Sequence, residues 1–172
     1  MRPPHGIRCS GRVIIQGGNE SVLITLAITV AAIAACNAVH FLSLRRLAHV
    51  FRDEVPPVKH PMLVVSFVIM LIHLVEVMIY GLAMWVLAML ERGKLASTHP
   101  IDFHGPAEFF YFSIASYTTL GIGDIVPTGH LRIVVGIEAL QGLILIAWSA
   151  SFSYLVMEKF WSRHGGKLLD DA

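Results

Sequence analysis

Three long apolar stretches, separated by short polar segments, dominate the pattern of hydrophobic and polar positions along this chain. They run from about Val22 to Leu42, from Met62 to Leu90 and from Ile133 to Met157. A helix needs about 20 apolar residues to span the hydrocarbon core of a bilayer, and each stretch reaches that length. The pattern predicts an all-α membrane protein with three transmembrane helices, the second long enough to tilt or project.

A shorter segment, from Pro106 to Thr118, lies between the second and third stretches. As a helix it would be about 20 Å long, which is too short to span a membrane. Pro106 suits the first turn of a helix, and Glu108 complements the positive end of the helix dipole. The segment leads into Gly121 and Gly123, and irregular backbone at membrane depth is tolerated only inside protein or beside water. We therefore expect a re-entrant helix.

The composition agrees with a membrane protein. Hydrophobic residues make up 55% of the 172 residues and charged residues only 15%, whereas about 25% is usual in soluble domains. The net charge of +1 gives no basic surface, so nucleic acid is not expected as a partner. Cys9 and Cys36 do not form a disulfide framework, and Cys36 is expected to be a small buried hydrophobe. Nothing in the composition calls for a cofactor.

The distribution of Lys and Arg predicts the orientation in the membrane. The first loop (44–61) and the C-terminal tail (159–172) are the basic segments, so both are expected on the cytoplasmic side. Residues 1–21 would then form a poorly ordered external tail. The first stretch could alternatively be a signal peptide, but it is long and no small-residue cleavage site follows it, which favours a retained helix. The basic residues behind these assignments are Arg2, Arg8 and Arg12, then Arg45, Arg46, Arg52 and Lys59, then Lys159, Arg163 and Lys167.

The residues after the short segment form a specific motif. They read Thr118-Thr119-Leu120-Gly121-Ile122-Gly123-Asp124, with Pro127 just beyond. This string resembles the selectivity filter of tetrameric potassium channels, whose usual form is Thr-Thr-Val/Leu/Ile-Gly-Tyr/Phe-Gly-Asp. The resemblance covers roughly residues 62–158 and implies an outer helix (62–90), a pore helix (106–118), a filter (119–124) and an inner helix (131–158). Residues 22–43 would be an additional transmembrane helix.

The resemblance also implies how the chain would work. Four chains would form a homotetramer around a central pore, in which rings of backbone carbonyls replace the hydration shell of K⁺. Thr118 would end the pore helix, and Asp124 would hold the filter by a hydrogen bond from Tyr111. The implied ion-binding residues are Thr119, Leu120, Gly121, Ile122 and Gly123. The protein is accordingly expected to be a potassium channel, not an enzyme, and to lie among lipids in a bacterial-type plasma membrane.

Ile122 departs from the family, which normally has an aromatic residue at this position. That aromatic residue usually reaches behind the filter to bond or stack with the pore helix, whereas Ile122 can only pack. A less firmly held filter would discriminate less well against sodium. A non-selective monovalent cation channel is therefore the alternative, and a non-conducting partner subunit is a further one.

The third stretch resembles the family's pore-lining inner helix. Gly142 lies close to the family's gating-hinge glycine, although a small residue there could equally allow two helices to approach closely. Helical spacing places Leu143, Ile146, Ala150, Tyr154 and Glu158 on one stripe. If the stripe faces the pore, Tyr154 would narrow the inner mouth and Glu158 would attract cations. The alternative is an ordinary packing face.

Ionisable residues inside membrane spans are candidates for function. His73 and Glu76 are three residues apart on one helical face and could form a pH-sensing pair, or simply a polar contact between helices. Glu138 is expected to brace the filter by bonding Ser113 or Ser116. Together the three residues also suggest a membrane metalloenzyme, which would leave the filter motif unexplained. Near the external mouth, three histidines could bind a blocking metal or protons: His99, His104 and His130.

Overall fold

The computed structural model describes residues 11–51, 61–97 and 105–170, with side chains described in 19–51, 62–97 and 105–162. Its elements in chain order are α1 (Gly11–Val50), α2 (Pro61–Met89), β1 (Leu95–Ser97), α3 (Pro106–Tyr117), β2 (Ile125–Pro127) and α4 (Leu131–Asp170). Several residues used in the sequence predictions lie outside the described residues or side chains: Arg2, Arg8, Cys9, Arg12, Arg52, Lys59, His99, His104, Arg163 and Lys167.

Three of the helices are long and apolar enough to cross a membrane. The candidate spans are Asn19–Val50, Met62–Met89 and Leu131–Ser162. The predicted class, an all-α membrane protein with three long apolar helices, is confirmed. The remaining helix, α3, has 12 residues and is too short to span a membrane.

Helices α1 and α4 are longer than the apolar stretches that predicted them. Each helix has 40 residues, which corresponds to about 60 Å of helix, whereas the hydrocarbon core is about 30 Å thick. Helix already begins at Gly11, within the segment expected to be a poorly ordered tail, and α4 continues to Asp170. Hydropathy misses these ends because polar residues are compatible with a helix once it has left the membrane.

Helix α2 lies at the centre of the packing and contacts α1, α3 and α4. The largest buried cluster joins all four helices, with members such as Cys36 of α1, Tyr80 of α2, Phe112 of α3 and Val134 of α4. The burial of Cys36 agrees with its predicted role as a small hydrophobe. Gln141 of α4 adds polar ties, since it accepts a hydrogen bond from Tyr80 and donates one to the Ile33 carbonyl (3.2 Å).

Two three-residue strands join the segments on either side of α3. Strand β1 pairs antiparallel with β2, with Leu95 opposite Pro127 and Ser97 opposite Ile125. The Thr128 N–H also donates to the Lys94 carbonyl at 2.9 Å. This pairing fastens the chain just after the glycine-rich loop to the chain just after α2, so the loop is held at both ends.

Candidate functional site

The short helix α3 is built to point at the glycine-rich loop. Gly105 precedes it with φ of 76°, Pro106 occupies its first turn, and Glu108 places a carboxylate at the positive end of its dipole. The helix ends at Tyr117, and the Thr118 N–H still bonds the Ile114 carbonyl at 3.2 Å. The partial negative charge of its C-terminus is therefore directed toward Thr118 and Thr119, which favours a cation there.

The loop after α3 has an alternating backbone conformation. Thr119, Gly121 and Gly123 have positive φ values of 58°, 54° and 86°, whereas the residues between them do not. Alternation of left-handed and right-handed residues turns successive peptide groups so that their carbonyl oxygens point to the same side of the strand. Glycine makes this conformation inexpensive at two of the three positions, and Thr119 adopts it at a cost.

The carbonyl oxygens of residues 119–123 accept no hydrogen bond from any other described residue. Residues Leu120 and Ile122 are 66% and 55% exposed on the single chain. Polar backbone groups that are removed from bulk water require a partner, which protein, bound water or an ion can provide. The loop thus presents several carbonyl oxygens that no described residue satisfies.

Asp124 anchors the C-terminal end of this loop. The Tyr111 hydroxyl donates to Asp124 Oδ2 at 2.7 Å, and the Ile125 N–H donates to Oδ1 at 2.9 Å. The predicted contact between Tyr111 and Asp124 is therefore present. The bond to the carboxylate raises the pKa of Tyr111, so this hydroxyl keeps its proton and remains a donor at neutral pH.

Glu138 lies behind α3, on α4. The Ser113 hydroxyl contacts both Glu138 Oε1 and the Val77 carbonyl, whereas Ser116 donates to the Phe112 carbonyl at 2.9 Å. Of the two hydroxyls predicted to bond Glu138, the one from Ser113 does so. The second oxygen, Oε2, is buried without a hydrogen-bond partner among the described residues.

Tyr117, the last residue of α3, joins a buried polar network with His73 and Glu76. The predicted contact within α2 is present, since His73 Nδ1 lies 3.0 Å from Glu76 Oε2. The Tyr117 hydroxyl donates to the same oxygen at 2.5 Å. His40 of α1 reaches Glu76 Oε1 at 2.8 Å, and Ser149 of α4 lies 3.1 Å from His73 Nε2.

The sequence predictions missed His40, Tyr117 and Ser149 as members of this network. His40 lies within the first apolar stretch, so the rule that singled out His73 and Glu76 applies to it as well. Glu138 is not part of the cluster of potential metal ligands formed by described residues, which contains His40 instead. The set of residues considered for a metalloenzyme is therefore not the set that the fold brings together.

Gly142 is the position where α4 touches the end of α3. A Cβ at this residue would overlap the Tyr117 carbonyl oxygen, so the close approach requires glycine. Beyond it, Ile146, Tyr154 and Glu158 are exposed on the single chain, and Tyr154 is 58% exposed. This stripe faces away from the chain's own helices. The predicted hinge and gate remain predictions, as does a metal or proton site at His130, which is half-buried.

These features define a multi-pass membrane protein in which a short helix and an irregular loop separate the last two spans. Residues 72–159, about half of the chain, match the protein family described as "Ion channel", a two-transmembrane pore-loop family of the potassium-channel type. The chain belongs to this ion-channel family. No curated protein and no solved structure matched the chain.

Proposed function

We propose that four copies of this chain form a channel that conducts K⁺ passively across a bacterial-type plasma membrane. The observation that carries the proposal is the loop at 119–123, where φ alternates in sign and the carbonyl oxygens accept no hydrogen bond from a described residue. Carbonyl oxygens in such a row can replace the hydration shell of a potassium ion. The negative end of α3 adds a favourable field for a cation at Thr119.

The proposed pore requires several chains, because a single chain cannot surround an ion with carbonyl oxygens. One chain supplies one strand of carbonyls, whereas coordination of an ion on an axis requires a ring of them. The exposed stripe of α4, with Ile146 and Tyr154, provides a face that can line the cavity below such a ring. Family membership favours this arrangement over an enzyme, since the matched region includes α3, the loop and most of α2 and α4.

A non-selective cation channel is the second candidate, and Ile122 is the reason. Ile122 is 55% exposed on the single chain, and its aliphatic side chain has no group that could hydrogen-bond to α3. The hydrogen bond from Tyr111 favours potassium selectivity over non-selective conduction, because it holds the loop at Asp124, two residues after Ile122. We therefore place potassium selectivity first.

Replacement of Gly121 by alanine tests the proposal. Gly121 has φ of 54°, and a Cβ there would meet no atom of its own described chain, so within one chain alanine acts through the backbone. A left-handed alanine costs about 1–2 kcal/mol per chain, and the proposed pore contains four. We expect G121A to lose most K⁺ flux in liposomes that contain only the purified chain.

The matched control is G136A, because Gly136 also lies in open space but within helix α4. G136A should conduct as the wild type does. If G121A conducts as well as G136A, residues 119–123 do not form the ion pathway. Circular dichroism and the elution volume of both variants would establish that they fold and assemble.

A further inference from the structure

Three metal-ligating side chains converge where α1 and α2 cross. They are His40, His73 and Glu76, and one potential ligand atom from each lies within 4.8 Å of the others. His40 and Glu76 are fully buried, and the His73 side chain is 19% exposed. The three residues come from two helices, so only the folded packing of α1 against α2 assembles them.

The two imidazole rings direct the same nitrogen atoms toward the same two partners. Each points Nδ1 at the Glu76 carboxylate, with His40 Nδ1 at 2.8 Å from Oε1 and His73 Nδ1 at 3.0 Å from Oε2. Each points Nε2 at the Ser149 hydroxyl, at 3.4 Å from His40 and 3.1 Å from His73. When Ser149 accepts both Nε2–H groups, both Nδ1 lone pairs face the carboxylate.

From this geometry we propose that His40, His73 and Glu76 bind a divalent transition-metal ion of the Zn²⁺ class. Two imidazoles and one carboxylate are a common zinc ligand set, and neutral imidazole suits first-row transition metals better than Mg²⁺ or Ca²⁺. Ligand atoms around a tetrahedral zinc ion are about 3.3 Å apart, given bonds of about 2.0–2.1 Å. The two Nδ1 atoms lie 2.8 and 3.0 Å from different oxygens of the one carboxylate, and the ligand atoms of the three residues lie within 4.8 Å of one another. Small side-chain rotations would bring them to the spacing that zinc requires.

The surroundings supply the remaining requirements of a metal site. The Tyr117 hydroxyl lies 2.9 Å from His73 Nδ1 and 2.5 Å from Glu76 Oε2, beside the fourth ligand position. Ser149 orients both imidazoles from the second coordination shell. His73, Tyr117 and Ser149 also line a cavity of about 480 Å³, which provides an entry path. The negative end of α3 at Tyr117 and the Glu76 carboxylate both favour a cation.

Bound metal would connect α1 to the part of the chain that matches the ion-channel family. His40 lies before residues 72–159, whereas His73 and Glu76 lie within them. Tyr117 precedes the glycine-rich loop, and its carbonyl packs against Gly142. We therefore expect Zn²⁺ to change ion flux. This expectation rests on the proposed channel function, but the binding itself does not.

Titration of the purified full-length chain with Zn²⁺ alone, by isothermal titration calorimetry in nanodiscs, tests the binding. We expect one ion per chain in the wild type. His40→Gln should weaken binding by at least tenfold, and Ser149→Ala by about 10- to 100-fold, as is typical for second-shell partners. The matched control is His49→Gln, because His49 is exposed on the same helix and should bind as the wild type does. Co²⁺ substitution should give the absorption of a tetrahedral site in wild type and not in His40→Gln.

No Zn²⁺ binding to a folded wild-type chain would overturn the proposal. Equal binding by His40→Gln and His49→Gln would overturn it too, because the zinc would then lie elsewhere. Circular dichroism would show that each variant retains its helices. Binding that depends on His40 without any ion flux would uphold the metal site and count against the channel function instead, so the two failures are distinguishable.

Discussion

Among single residues, those of the glycine-rich loop are distinguished by their backbone conformation. Thr119, Gly121 and Gly123 carry the positive φ values, whereas Leu120 and Ile122 are largely exposed on the single chain. The two glycines could be assigned from the sequence because few other residues adopt this backbone. The left-handed conformation of Thr119 could not, because threonine ordinarily avoids it.

Tyr111→Phe isolates the hydrogen bond that holds Asp124. The variant keeps the ring but removes the donor that lies 2.7 Å from Asp124 Oδ2. Because Ile122 has no hydrogen-bonding group with which to hold the loop, we expect the ratio of K⁺ to Na⁺ permeability to fall severalfold. Ser162→Ala is the control, since it removes an exposed hydroxyl from α4 far from the loop in sequence. An unchanged ratio in Tyr111→Phe would show that this bond does not support the loop.

At the scale of helices and strands, sequence patterns predicted the elements better than their contacts. Hydropathy placed α2 within one residue at each end, and α3 begins at the predicted Pro106. The strands β1 and β2 were not predicted because three residues carry too little pattern. The contact of His40 with Glu76 was not predicted because it depends on how α1 rotates against α2. Periodicity alone does not determine that rotation when both helices are apolar on nearly all sides.

Gly142→Ala tests the close approach of α4 to the end of α3. The added methyl group would overlap the Tyr117 carbonyl, so α4 must shift away from α3. Overpacking of this kind costs about 1–3 kcal/mol. We expect a lower thermal midpoint by circular dichroism, together with altered flux because Tyr117 leads into the loop. G136A should not lower the midpoint, because alanine in open space within a helix is about 0.5–1 kcal/mol more favourable than glycine. Equal midpoints for the two variants would refute the tight contact.

At the scale of the whole molecule, the chain combines a family-matched region with an additional helix. Residues 72–159 contain the loop, most of α2 and most of the apolar part of α4, whereas α1 precedes them. Helix α1 packs against α2 and α4, and its His40 reaches the network that includes Tyr117. Helix α1 is thus in polar contact with Glu76, which accepts a hydrogen bond from Tyr117 at the end of α3. The predicted placement of both basic segments in the cytoplasm remains a prediction of charge distribution.

The proposed potassium selectivity is tested by the reversal potential of the purified wild-type chain in a planar bilayer with K⁺ on one side and Na⁺ on the other. We expect a reversal potential far from zero, of the sign that K⁺ permeation gives, and a current that Ba²⁺ blocks. A reversal potential near zero with clear current would identify a non-selective cation channel and contradict the proposed selectivity.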